Sequence, residues 1–163
     1  MINIRKLKAK DREVISAILK NTVMFTDQEI DVALELIDVY LNNKDQNDYL
    51  IYVAETAQGE VVGYVCYGPT AVAEGTYDLY WIAVDSSHQG RGIGKQLLTF
   101  TEEEVGKLKG RLIIIETSSQ EKYASTQNFY LGNRYVLAAR IKDYYRAGDD
   151  RLIYVKYLNN HIS

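Results

Sequence analysis

Between Tyr77 and Lys95 the sequence changes its period without an intervening linker. Tyr77-Asp78-Leu79-Tyr80-Trp81-Ile82-Ala83-Val84 has the β-branched and aromatic content of a strand. Behind it Leu97, Leu98, Val105 and Leu108 recur at helical spacing, with a natural stop at Gly110. The apolar run Leu112-Ile113-Ile114-Ile115 then predicts a strand buried on both faces and central in its sheet. Strand, helix and strand in that order form a parallel crossover, which points to an α/β fold.

The turn inside this unit is Gln89-Gly90-Arg91-Gly92-Ile93-Gly94-Lys95. Three glycines at alternate positions let main-chain N–H groups turn toward one point, and the helix N-terminus adds partial positive charge there. An anion belongs at that point, and a pyrophosphate suits it best. A Walker A loop ending at Gly94-Lys95 would need glycine at 89 and Ser or Thr at 96, where Gln89 and Gln96 stand. A G-x-G-x-x-G dinucleotide loop would need glycine where Lys95 or Leu97 stands, although Glu116 closes the next strand about where a ribose-binding acid would sit. A glycine-rich connector without a ligand is the plain alternative. What fits is Q-x-x-G-x-G after a strand, carried by Gln89, Gly92 and Gly94. It resembles the acetyl-coenzyme A (acetyl-CoA) loop of the GCN5-related N-acetyltransferase (GNAT) family.

The remaining sequence predicts elements that suit this resemblance. Met1 to Leu7 reads as a strand, Asp11 as the cap of a helix to about Asn21, and Thr26 or Asp27 as the cap of a second, amphipathic helix over 28–41. Tyr49–Thr56 and Val61–Gly68 form a hairpin around Gln58-Gly59. A short helix over Tyr123–Leu131 ends near Gly132-Asn133, and Tyr135–Tyr144 pairs with Arg151–Tyr157 across Ala147-Gly148-Asp149. The order βααβββαβαββ resembles that of the GNAT acyl-CoA N-acyltransferase fold, which implies an α/β (α+β) fold with a mixed sheet. At 163 residues, 47% hydrophobic and 25% charged, with no repeat and only Pro69 as proline, a single domain over 1–163 is expected. The lone Cys66 and the lack of a signal-like or membrane-length apolar run point to a cytoplasmic protein without a membrane partner. A net charge of -3 argues against nucleic acid as a partner.

Chemistry falls to few side chains. His88 and His161 lack a neighbouring triad pattern, Cys66 reads as a buried strand residue, and no His/Cys spacing suggests a metal. Direct, metal-free transfer from acetyl-CoA to an amine is the reaction the resemblance implies. In that reaction a group must take a proton from the amine and another must give one to the leaving thiolate. Asn128-Phe129-Tyr130 with Gly132 and Tyr135 resembles the segment whose tyrosine reaches the coenzyme A sulfur, which makes Tyr130 the acid. For the base, Asp78 stands where histone-type members carry a glutamate acting through water, and Glu116 resembles the glutamate of peptide N-terminal acetyltransferases. Both stay open, with Asp78 first. The resemblance also implies that the backbone of Ile82, Ala83 and Val84 holds pantetheine and acetyl carbonyl. It assigns the loop Gln89, Gly90, Arg91, Gly92, Ile93, Gly94 and Lys95 to the pyrophosphate, and Asn128 to pantetheine or ribose. Tyr123 stands roughly where many relatives carry an asparagine.

The acceptor is less determined. From Asn21 to Leu50 the acids Asp27, Glu29, Asp31, Glu35, Asp38, Asp45 and Asp48 face only Lys44, a surface that could draw in a small cationic amine or be simply a solvated helix face. Tyr144-Tyr145 before Gly148-Asp149-Asp150 resembles the paired tyrosines of ribosomal-protein N-terminal acetyltransferases, which points instead to a peptide amine. A catalytically silent acyl-CoA sensor and a nucleotide-binding regulatory module are the rivals from other classes. The oligomeric state stays open, a homodimer included.

Overall fold

The computed structural model describes residues 1–158. His161 therefore lies outside the described residues. The order along the chain is βααβββαβαββ, with the strands joined in one sheet of order β1-β2-β3-β4-β5-β7-β6. β1 (Ile2–Lys6), β2 (Leu50–Thr56), β3 (Val61–Pro69) and β4 (Thr76–Val84) are antiparallel neighbours. β4 and β5 (Leu112–Ser118) run parallel. β7 (Asp149–Tyr157) inserts between β5 and β6 (Val136–Arg146), antiparallel to both. Helices α1 (Arg12–Asn21) and α2 (Asp27–Asn42) follow β1, α3 (Ile93–Lys107) makes the parallel crossover, and α4 (Ala124–Gly132) joins β5 to β6.

Two hydrophobic layers sandwich the sheet, and β2, β3 and β4 contribute to both. Tyr64 and Cys66 belong to the layer with Ile15, Leu19 and Ile37 of α1 and α2, while Val65 and Tyr67 belong to the layer with Leu97, Leu98 and Val105 of α3. Leu112–Ile115, expected to be buried on both faces, alternates instead. Ile113 and Ile115 enter the α3 layer, but Leu112 and Ile114 are only half-buried. Ile114 lines a cavity on the opposite face of the sheet.

Helix ends follow local chemistry in part. Thr26 caps α2, accepting from the Glu29 N–H at 3.2 Å, while Glu29 returns a bond to the Thr26 N–H at 2.7 Å. Asp11 is not the side-chain cap expected for α1. It closes a 3-10 turn over Ala9–Asp11, and its carboxylate is taken by both Arg5 guanidinium ends and the Lys8 N–H. The left-handed residues after α3 and α4 are Lys109 and Arg134, not the glycines. Gly110 is required by space: a Cβ there would lie 2.2 Å from Val105 Cγ1 and 2.8 Å from its carbonyl oxygen.

One irregularity opens the sheet. In β4, Cys66 pairs with Trp81 but Tyr67 pairs with Leu79, so Tyr80 is an extra residue, a β-bulge. Pairing of β4 with β5 runs from Thr76↔Leu112 to Leu79↔Ile115 and stops there. Beyond Leu79 the two strands continue to Val84 and Ser118, paired with β3 and β7 but no longer with each other, leaving a gap between them.

Candidate active site

The glycine loop meets this gap at the N-terminus of α3. Gly90 and Gly92 have φ of 76° and 78°, a region that side chains with a Cβ adopt at a cost, and Gly92 is the N-cap residue. A glycine N-cap supplies no side-chain acceptor, so the first-turn amides at Ile93, Gly94 and Lys95 are left without an intrahelical partner or a cap. They are free to bind an anion. Gly94 differs from its neighbours in role: it is an ordinary helical residue whose added Cβ would meet the Phe129 ring at 3.5 Å, a normal contact. Gln89 turns its side chain back, donating from Nε2 to the Val84 carbonyl at 3.1 Å, and so ties the loop to the end of β4.

A cavity of about 520 Å³ runs from this loop into the gap, lined by the open edge Ile82, Ala83 and Val84, by Gln89, Gly90, Gly92, Ile93, Gly94 and Lys95, and by one face of α4. A second cavity of about 650 Å³ lies on the other side of the gap. Tyr130 lines both, together with Met24, Phe25, Ile82 and Thr126. Only 4% exposed, Tyr130 packs against Phe129, Tyr135 and Tyr154 with ring centroids 5.4, 5.9 and 6.1 Å away. Tyr135 donates its hydroxyl to Glu102 at 3.1 Å. The Tyr130 hydroxyl meets no protein partner among the described residues, and burial raises its pKa well above the ordinary value.

The second cavity is walled by aromatic rings and carboxylates. Phe25 and Trp81 meet edge to face at 5.3 Å on one side, and Tyr123 and Tyr145 stand on another. Four carboxylates line it, from Glu29, Asp78, Glu116 and Asp149, against the cations Lys122 and Arg146. Their hydrogen bonds differ. Asp78 accepts from the Thr70 hydroxyl at 2.7 Å, whereas Glu116 is held in an ion pair by Arg151, which itself stacks 4.8 Å over the Tyr144 ring.

A family description, "Acetyltransferase (GNAT) domain", matches residues 47–136. A crystal structure from Desulfovibrio desulfuricans, of a protein described as an acetyltransferase of the GNAT family, shares 39% identity over 96% of this chain and 99% of its own, at a TM-score of 0.90. The chain belongs to the GNAT family. Similar in fold at lower identity are a Salmonella typhimurium protein solved with its cofactor acetyl-CoA and an Escherichia coli ribosomal-protein-S18-alanine N-acetyltransferase. The first shares 20% identity over 100% of this chain and 97% of its own, with a TM-score of 0.75. The second shares 19% over 96% and 94%, with a TM-score of 0.73. A search of curated proteins finds no match to the chain. As a GNAT-type acetyltransferase the chain has the family's cosubstrate, acetyl-CoA.

Within this GNAT chain, most of the residues expected from the sequence converge and some do not. Tyr130, Asp78, Glu116, the Ile82–Val84 edge and six of the seven loop residues line the two cavities. Arg91 instead points into a separate cleft with Met1, Ile2 and Glu60, and Asn128 is on the exposed face of α4. The α4 residues that face the first cavity are Ser125, Thr126, Phe129 and Tyr130, and Asn133 follows them. Of the seven acids between Asn21 and Leu50, Glu29 alone lines the second cavity; Asp38 is taken by Arg12 of α1 at 2.6 Å, and Asp31 and Glu35 are solvated. His88 stands beside Ser87 and Asp85, but Ser87 and Asp85 both approach its Nδ1, at 3.0 and 3.2 Å. That is a turn cap and not a triad, which needs the serine on the other ring nitrogen. Met24 and Phe25 carry no sequence signal, and Asp149 reads only as a turn residue after the paired tyrosines, since a buried strand acid and an apolar loop are defined as site residues only by what folds against them.

Proposed function

We propose that the chain moves an acetyl group from acetyl-CoA directly to the primary amine of a small cationic acceptor, and that residues 1–163 act as one catalytic domain. The observation that carries this reading is Tyr130, whose side chain borders both the cavity behind the glycine loop and the acidic cavity across the gap. A thioester entering from one side and an amine from the other would meet beside its hydroxyl. The amine nitrogen attacks the thioester carbonyl, the new C–N bond forms, and the C–S bond breaks. Tyr130 gives its proton to the departing thiolate, and water relays the amine's proton to a carboxylate. Main-chain groups on the side of Ile82, Ala83 and Val84 that faces the gap would steady the acetyl oxygen, and the α3 amides with Lys95 the pyrophosphate.

Asp78 is favoured as the proton relay. Glu116 is already neutralised by Arg151, which makes it the poorer base, while Asp78 is held only by a neutral hydroxyl. A peptide N-terminus is the second reading, favoured by Tyr145 on the wall of the larger cavity. Release of free coenzyme A, followed with acetyl-CoA and a panel of small amines and short peptides, tests both. Turnover with small amines is expected; turnover with peptides alone would replace the first reading by the second, and binding without any turnover would make the chain a sensor.

A further inference from the structure

Resting on the small-amine reading, we infer that the acceptor carries a second positive charge, bound in a corner of the acidic cavity made by Glu29, Asp149, Tyr123 and Tyr145. These four side chains come from α2, the start of β7, the turn before α4 and β6, so the corner exists only in the folded chain.

Asp149 is the key group. Its residue is 3% exposed, yet it lines the cavity. One carboxylate oxygen accepts from the Ser118 hydroxyl at 2.5 Å. The other has no hydrogen-bond donor among the described residues; its nearest cation is the Arg146 Nε at 3.6 Å, on a side chain 65% exposed. A carboxylate taken out of water needs a cation or donors to offset its lost hydration. Glu29 reaches the same corner from α2, where the Tyr123 hydroxyl lies 3.4 Å from its Oε1. Tyr145 shares the cavity wall with both carboxylates, and its phenol is raised by burial first and then by Tyr144, Asp149 and Glu29. Tyrosine faces attract cations as well as packing against them, and the chain's own Lys122 ammonium already stands 5.1 Å over the Tyr123 ring. Two carboxylates and two phenol rings make a seat for an ammonium ion.

The corner lies beyond the level of Asp78, the proposed proton relay, along β5. Asp78 pairs with Ile114, and Ser118, which holds Asp149, is four residues further along β5, roughly 13 Å at strand rise. A cation seated here is a handle, and the reacting nitrogen is at the other end of the same molecule.

The test compares n-alkylamines from propylamine to octylamine with α,ω-diamines of the same lengths, measuring kcat/KM on the full chain. The diamine of the best length is expected to exceed its monoamine by at least tenfold. Asp149→Asn should collapse that preference to near unity, and Glu29→Gln, which keeps the α2 cap acceptor, should reduce it several-fold, with acetyl-CoA titration showing that each variant is folded. Equal use of both amine series by the unmodified chain overturns the inference and leaves the small-amine reading standing. So does a preference retained in both variants. Absence of turnover with every alkylamine, while acetyl-CoA binds, overturns the small-amine reading and this inference with it. Should Asp149→Asn not fold, Glu29→Gln and the unmodified chain still decide the matter.

Discussion

A phenol serves as an acid only if its proton stays on the oxygen until it is needed. Burial does this for Tyr130, raising it above the ordinary value near 10, so the group is protonated throughout the neutral and mildly alkaline range. Tyr130→Phe is expected to lower kcat about 100-fold with the KM for acetyl-CoA little changed, as steady-state kinetics will show. For the same reason kcat should not fall between about pH 7 and 9 through loss of this proton. Asp78→Asn should reduce kcat strongly at neutral pH and recover in part at higher pH, as more acceptor arrives deprotonated toward its pKa near 10. Glu116→Gln should do less, because its partner Arg151 has already neutralised it. A pH–rate profile of the two variants side by side checks the ranking; the reverse order would move the base to Glu116.

At the scale of elements, the loop before α3 and the turn before α1 illustrate two kinds of constraint. Gly92 is needed for its positive φ, since its missing Cβ would meet open space, whereas Gly94 has ordinary helical geometry. Gly92→Ala should therefore lower the Tm of the free protein and weaken acetyl-CoA binding about tenfold, about 1.4 kcal/mol. Gly94→Ala should leave the free protein's Tm unchanged or slightly higher, so that any loss of affinity there reports collision with bound ligand; calorimetry on both variants separates the two. At the N-terminal edge, Arg5 joins β1 to the 3-10 turn through Asp11 and to β2 through Glu55, at 2.7 and 2.8 Å. Burial alone would raise the Asp11 pKa, but the bonds from Arg5 and the Lys8 N–H outweigh it and hold it below the ordinary value. A carboxyl whose folded pKa is lowered stabilises the fold above its unfolded pKa near 3.9, and that contribution is lost as pH falls through the lower folded value. Asp11→Asn should cost about 2 kcal/mol at neutral pH, and the difference from the unmodified chain should shrink in acid denaturation below about pH 4.

For the whole molecule, the gap between β4 and β5 is a fault in the sheet that a ligand can fill. The strands separate after Leu79↔Ile115, and both cavities open on the separated segments. A ligand that binds only the folded chain raises its stability by mass action. Acetyl-CoA at about 100 times its Kd should add about 2.7 kcal/mol, a rise in Tm of roughly 5–10 °C for a chain of this size. Free coenzyme A should act similarly and NAD should not. Thermal shift assays with the three ligands check this, and a shift with NAD alone would return the loop to the dinucleotide class.

Sequence alone determined what depends on neighbours along the chain. The order of elements followed from periodicity, the Thr26 cap from its spacing to Glu29, and the uncapped glycine turn from glycines set between a strand and a helix. Those signals are local, carried by φ preference, side-chain period and capping chemistry, and they need no partner to be legible. Tertiary structure decided what depends on distant segments. Asp11 left its cap for Arg5, Glu116 was claimed by Arg151, and the acidic stretch around α2 turned mostly to solvent and left Glu29 alone in the cavity. Asn128 and Arg91 turned away from the cavity behind the glycine loop because helix phase and turn geometry, not proximity in sequence, set the direction of a side chain. Asp149 became a cavity group because β7 returns between β5 and β6, bringing it beside Ser118 thirty-one residues earlier in the chain, a contact that no pattern along the sequence announces.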